Sequence, residues 1–126
     1  LAERRGHVAL PGEAARDPRN TATRLEIART LKRLGECAGS KSFYQKAVKE
    51  YKSILRDHKR SAEYHTNTYI ELAGCLARQG QFKSAARYLD RVPRKYVPLS
   101  RLLGNNPDFA EMCKEAAYRR FFEERG

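Results

Sequence analysis

Residues 62–92, AEYHTNTYIELAGCLARQGQFKSAARYLDRV, carry two apolar stripes at helical spacing divided by a single glycine. Tyr69, Leu72 and Leu76 stand at i, i+3 and i+7, so they share one helix face. Gly80 follows, where a chain leaving a helix commonly needs positive φ. Phe82, Ala85, Leu89 and Val92 then repeat the pattern, and the small Ala85 lets two helices approach closely. Pro93 cannot continue the hydrogen-bond ladder, so the pair ends there. The stretch is expected to form an antiparallel helical hairpin.

A second hairpin is expected over 21–57. Thr21 or Thr23 can cap its first helix, with Glu26 as the capping-box partner of Thr23. Ala28, Leu31, Leu34 and Ala38 form the apolar stripe, Gly39-Ser40 the turn, and Tyr44, Ala47, Tyr51 and Ile54 the stripe of the next helix. Residues 1–20 lack a sustained period, and Pro11, Gly12 and Pro18 interrupt any helix, so they read as an extended arm. After the second hairpin comes a connection, 93–106, in which Leu99, Leu102 and Leu103 can plug one end of the stack. Asn106 is placed to cap a final helix over 107–123, with Pro107 in its first turn and Phe109, Met112, Ala116 and Phe122 turned inward. Of the adjacent Phe121 and Phe122, both are expected to finish the core.

The resulting reading is all-α: two stacked hairpins closed by a capping helix. Its expected core is Leu31, Leu34, Tyr44, Ala47, Tyr51, Tyr69, Leu72, Leu76, Phe82, Ala85 and Leu89. At 126 residues this is one domain after the arm, and no apolar run approaches the ~20 residues of a membrane span.

The series Tyr69, Leu72, Ala73, Leu76, Gly80, Phe82, Ala85, Leu89 resembles the tetratricopeptide repeat, with Ala73 in place of the family's glycine and the closing proline displaced to Pro98. Leu31, Leu34, Gly35 and Ala38, followed by Tyr44, Ala47 and Tyr51, repeat the pattern upstream. Ala47 and Ala85 lie 38 residues apart against a family period of about 34, and the excess fits in 57–64. The resemblance implies a short solenoid that binds proteins. The family's clamp for acidic chaperone tails is not expected, because Glu36 and Glu71 stand beside Lys32 where that clamp uses Asn and Lys. Thr68-Tyr69, Leu72, Gly80, Ala85 and Pro98 also resemble the RNA-reading pentatricopeptide repeat. There the base-reading position would be Ile70, which cannot bond a base edge.

Cys37, Cys75 and Cys113 are spaced by 38 and 38 residues, in register with the repeat. Stacked repeats do not bring three such side chains together, and there is no C-x2-C pair, so neither a metal site nor a disulfide framework is expected. His58 and His65 flank the connection between hairpins and read as surface residues. No H-E-x-x-H, G-x-S-x-G or phosphate-binding glycine loop occurs. The sequence therefore offers no catalytic, cofactor or metal residues, and the expectation is a protein that is not an enzyme.

Lys+Arg 26 against Asp+Glu 15 give a formal charge of +11, which favours polyanionic partners. Lys49, Lys52 and Arg56 share one face of a second helix, and Lys83, Arg87 and Arg91 share one face of the other. These faces suit RNA backbone or an acidic protein. The expected role is a scaffold or accessory subunit of a large multiprotein complex, the alternative an RNA-contacting subunit of a mitochondrial ribosome or RNA-processing particle. The start at Leu1 and the basic charge suit loss of an Arg-rich presequence, so the mitochondrial matrix is the expected setting, the cytoplasm otherwise.

Overall fold

A computed structural model describes residues 21–95 and 97–124. The arm expected over 1–20 lies outside these residues. The described chain is all-helical, with no strand among the described residues. Helix α1 spans Thr21–Ala38, α2 Lys41–Asp57, α3 Thr66–Arg78 and α4 Phe82–Leu89. A 3-10 turn at Leu99–Arg101 leads into the four-residue α5, Leu102–Asn105. Two more 3-10 turns, Pro107–Phe109 and Met112–Lys114, precede α6, Ala116–Glu124.

Both turns expected from sequence are present. Gly39 has φ +62° and Gly80 has φ +80°, the left-handed values that glycine adopts without a Cβ penalty. Each lets the chain reverse within a few residues. α1 packs on α2, and α3 packs on both α2 and α4. Thr23 lies inside α1 rather than at its cap, and Glu26 pairs with Arg29 at 3.4 Å.

The second helices bury their stripes as expected. Tyr44, Ala47, Tyr51 and Ile54 of α2 are buried, as are Ala85 and Leu89 of α4, with Phe82 half-buried. In α3, Leu72 and Leu76 are buried and Tyr69 is half-buried. α1 departs from expectation. Leu31 is half-buried and Leu34 is 43% exposed, so Leu34 is not a core residue. Ala38 is exposed as well. The face that α1 turns inward carries Arg24, Ala28 and Gly35. At Gly35 the Tyr44 ring lies so close that an added Cβ would stand 3.2 Å from it. A bulky ring resting on bare backbone sets the rotation of α1, and Leu34, about 100° round the helix from Gly35, is left facing out.

The helix expected over 107–123 is corrected to two 3-10 turns and the shorter α6. Asn106 does cap, its side chain accepting the Asp108 N–H at 3.0 Å, but it caps a 3-10 turn. Phe109 and Met112, three residues apart, both reach full burial, which suits a helix of three residues per turn. Glu115 then takes extended backbone (φ −87°, ψ 127°) and re-aims the chain. α6 thereby brings Phe122 to Phe109, ring centroids 5.5 Å apart, which a straight helix would not do with Asp108 also turned inward. Phe122 is buried, Phe121 half-buried, and Ala116 exposed. Leu99 is fully buried, as expected of a plug, with Leu102 and Leu103 packed beside it.

Candidate interaction surfaces

Three polar clusters tie the helices together from inside. Asp108, 5% exposed, receives Arg78 Nε at 2.8 Å on one carboxylate oxygen and Lys32 Nζ at 2.8 Å on the other. One carboxylate thus links α1, α3 and the C-terminal segment. Burial by itself would lower the Lys32 pKa, but the hydrogen bond and charge of Asp108 outweigh it and hold the ammonium above its ordinary value. In the second cluster Arg29 of α1 grips Glu71 of α3 with two nitrogens, each at 2.9 Å, and Tyr51 of α2 donates its hydroxyl to Glu71 at 2.8 Å. Burial, then the Glu71 carboxylate, push the Tyr51 phenol far up, so it remains a neutral donor. In the third, Arg24 is 1% exposed and donates to Ser53 and, at 3.1 Å, to Asp57.

Lys32 is held by Asp108 and by Glu36 at 3.4 Å, and Glu71 by Arg29. Among the described residues, no group of three His, Cys, Asp or Glu side chains converges to hold a metal ion. No helix among them is long and apolar enough to cross a membrane.

The cysteines are not equivalent despite their even spacing. Cys75 is fully buried and Cys113 is 8% exposed, whereas Cys37 is exposed. Burial pushes the Cys75 thiol up to about 12 and the Cys113 thiol upward as well. A thiol reacts as the thiolate. Titrating the native protein with a maleimide at pH 8 should therefore modify Cys37 quickly and Cys75 only after unfolding. Fast labelling of Cys75 in the native state would contradict the packing of α3.

The basic faces lie where the sequence puts them. Lys49, Lys52 and Arg56 on α2, and Lys83 and Arg87 on α4 with Arg91 just beyond it, are all exposed. Arg56 pairs with Asp57 at 3.1 Å, and Arg91 lies over the Tyr88 ring, 5.2 Å from its centroid.

A feature that the stripes alone did not reveal is the outer face of α1. An apolar hollow of about 360 Å³ lies against it, lined by Thr23, Glu26, Ile27, Thr30 and Leu31. Leu34 stands exposed one turn further along. The signal was present in the sequence, because Ile27 and Leu34 extend the apolar arc of α1 beyond the width that one neighbouring helix covers. Sequence reasoning also missed Asp108, an acid in a 3-10 turn whose partners sit 76 and 30 residues earlier. The chain matches no protein-family model, no curated protein and no solved structure.

Proposed function

We propose that this chain is a non-catalytic helical scaffold, tetratricopeptide-like in the way its hairpins pack, which docks a neighbouring protein within a larger assembly; the mitochondrial matrix is its proposed setting. The apolar face of α1 that no other described helix covers carries this reading. Ile27 and Leu31 line a hollow and Leu34 is 43% exposed on the same helix. The ion pairs of Arg29 and Lys32 fasten the opposite side of α1 to the rest of the molecule, so the apolar side is presented on a fixed element. Clustered apolar side chains rimmed by Thr23, Glu26 and Thr30 suit a partner helix or loop.

A second reading, contact with RNA, is favoured by the six exposed cations of α2 and α4. One experiment separates the two. Tagged wild-type chain and the Leu34→Glu variant are used for native pull-down with and without RNase, and the bound proteins are identified. Leu34 already faces solvent, so Leu34→Glu should change stability by no more than about 0.5 kcal/mol. The scaffold reading expects a defined set of RNase-resistant proteins that Leu34→Glu loses. If that set is retained in full, the α1 face is not the docking surface. If every partner depends on RNA and is lost on charge reversal of Lys49, Lys52, Arg56, Lys83, Arg87 and Arg91, the second reading replaces the first.

A further inference from the structure

The connection between α2 and α3 reads HKRSAEYH over 58–65 and holds an unusual density of rings and cations. In the fold these rings join a row that continues into the hairpin. His58 stacks on Tyr64 at 5.4 Å with planes 26° apart. His65 stands edge-on to Tyr64 at 5.1 Å and to Tyr69, in the first turns of α3, at 6.2 Å. Tyr69 stacks on Tyr88, in the last turn of α4, at 6.5 Å and 26°. Arginines cover two of its rings. The Arg60 guanidinium lies 4.4 Å over the Tyr64 ring, and that of Arg91 lies 5.2 Å over Tyr88.

The row is held in place from beneath. His65 is 2% exposed, and its Nε2 lies 2.6 Å from the His58 carbonyl oxygen. A carbonyl can only accept, so Nε2 carries the proton and donates. This bond fixes the two ends of the connection to each other. Above it, Tyr64 is 46% exposed, and Arg60 and Arg91 are exposed. Chain direction places the whole row at one end of the molecule, because α2 ends there, α3 starts there and α4 ends there.

From this arrangement the geometry points to a stacking platform for the unpaired bases of a single-stranded nucleic acid, built on Arg60, Tyr64, Tyr88 and Arg91. The inference rests on the RNA-contact reading and names its site. A guanidinium already stacked on a ring is flat and oriented, and it presents its outer face to a base and its N–H edge to a phosphate. Two such faces, set apart along the row, suit two bases of one strand with further nucleotides between them. Arg56, Lys59, Arg87 and Arg94, close to Arg60, Tyr88 and Arg91 in the sequence, are exposed and suit the phosphates of such a strand. An acidic peptide would use the charges but has no need of ordered rings beneath them.

The test measures binding of the full 126-residue chain to fluorescein-labelled oligo(U) and oligo(dT) by anisotropy, with heparin as a polyanion without bases. Arg60→Lys with Arg91→Lys keeps the charge and removes the flat faces, and Tyr64→Leu is a second, independent variant. All three positions are exposed, and unchanged circular dichroism melting confirms that each variant folds. The expected result is that both variants bind the oligonucleotides about ten-fold more weakly, while binding heparin unchanged. Oligo(U) bound more tightly than oligo(dT) identifies RNA as the ligand, and the reverse identifies DNA. If wild type and variants bind the oligonucleotides equally, the stacking platform is overturned while nucleic-acid contact through the cations of α2 and α4 stands. If wild type binds neither oligonucleotide, both fall. An acidic peptide that competes away the oligonucleotide only when Arg60 and Arg91 are intact would make the row a protein site and overturn the proposal.

Discussion

Replacing Asp108 by Ala will lower the stability of this protein by about 3 kcal/mol, seen as a melting temperature roughly 15 °C lower. The carboxylate is 5% exposed and is the shared partner of Lys32 and Arg78. Removing it leaves two cations facing each other at the junction of α1, α3 and the C-terminal segment, with Lys32, only 19% exposed, left to the longer contact with Glu36. The loss also frees the turn over 107–109 that delivers the fully buried Phe109 to the core. Much of the cost belongs to the stranded charge, not to the bond itself. Asp108→Leu combined with Lys32→Met should therefore recover a large part of what Asp108→Leu loses. Chemical denaturation of the single and double variants measures this. A single Asp108 variant as stable as wild type would mean that the carboxylate does not hold the C-terminal segment to α1 and α3.

The second large effect falls on Gly74, and its sign should depend on Asp108. In a helix interior Ala is favoured over Gly by about 1 kcal/mol. At position 74 an added Cβ would collide with Asp108 Oδ2 and stand 3.0 Å from its Cγ. That carboxylate cannot swing aside without leaving Lys32 or Arg78, since each of its oxygens is engaged at 2.8 Å. Gly74→Ala should therefore destabilise wild type by about 2 kcal/mol, the broken pairing outweighing the helical gain. In an Asp108→Ala background the obstacle is gone, and the same change should be neutral or stabilise by up to about 1 kcal/mol. A double-mutant cycle by urea denaturation reads the reversal directly. Equal costs of Gly74→Ala in both backgrounds would show that the tight approach of Asp108 to α3 is not what requires glycine.

How much of this was legible beforehand follows from the range of the interactions involved. Helices α1 to α4, the turns at Gly39 and Gly80, and the buried stripes of α2 and α4 depend on spacing within a few residues, and the sequence alone determined them. The exposed cations on α2 and α4 were legible for the same reason, since a helix that buries one face shows the other to water. The rotation of α1 was not. Leu34 and Leu72 lie 38 residues apart in matching stripes, yet Leu72 is fully buried and Leu34 is 43% exposed. α3 is enclosed by α2, α4 and the segment over 107–109, whereas α1 packs mainly on α2. Which leucine finds cover was therefore settled by neighbours, not by pattern. The same holds for Cys37 and Cys75.

The C-terminal segment shows the limit most clearly. Periodicity over 107–123 suits one helix, but the chain gains more by turning Asp108 onto Lys32 and Arg78 while burying Phe109, Met112 and Phe122. No window of local sequence contains those partners. The aromatic row at the end of the hairpins has the same origin, because Tyr64 and Tyr88 become parts of one surface only when α3 and α4 fold back on each other. Sequence determined the helices and the sign of their charged faces through contacts a turn or two apart. Tertiary structure decided which leucine of α1 is exposed, where the buried carboxylate goes and which rings line up, because each depends on groups brought together from distant parts of the chain.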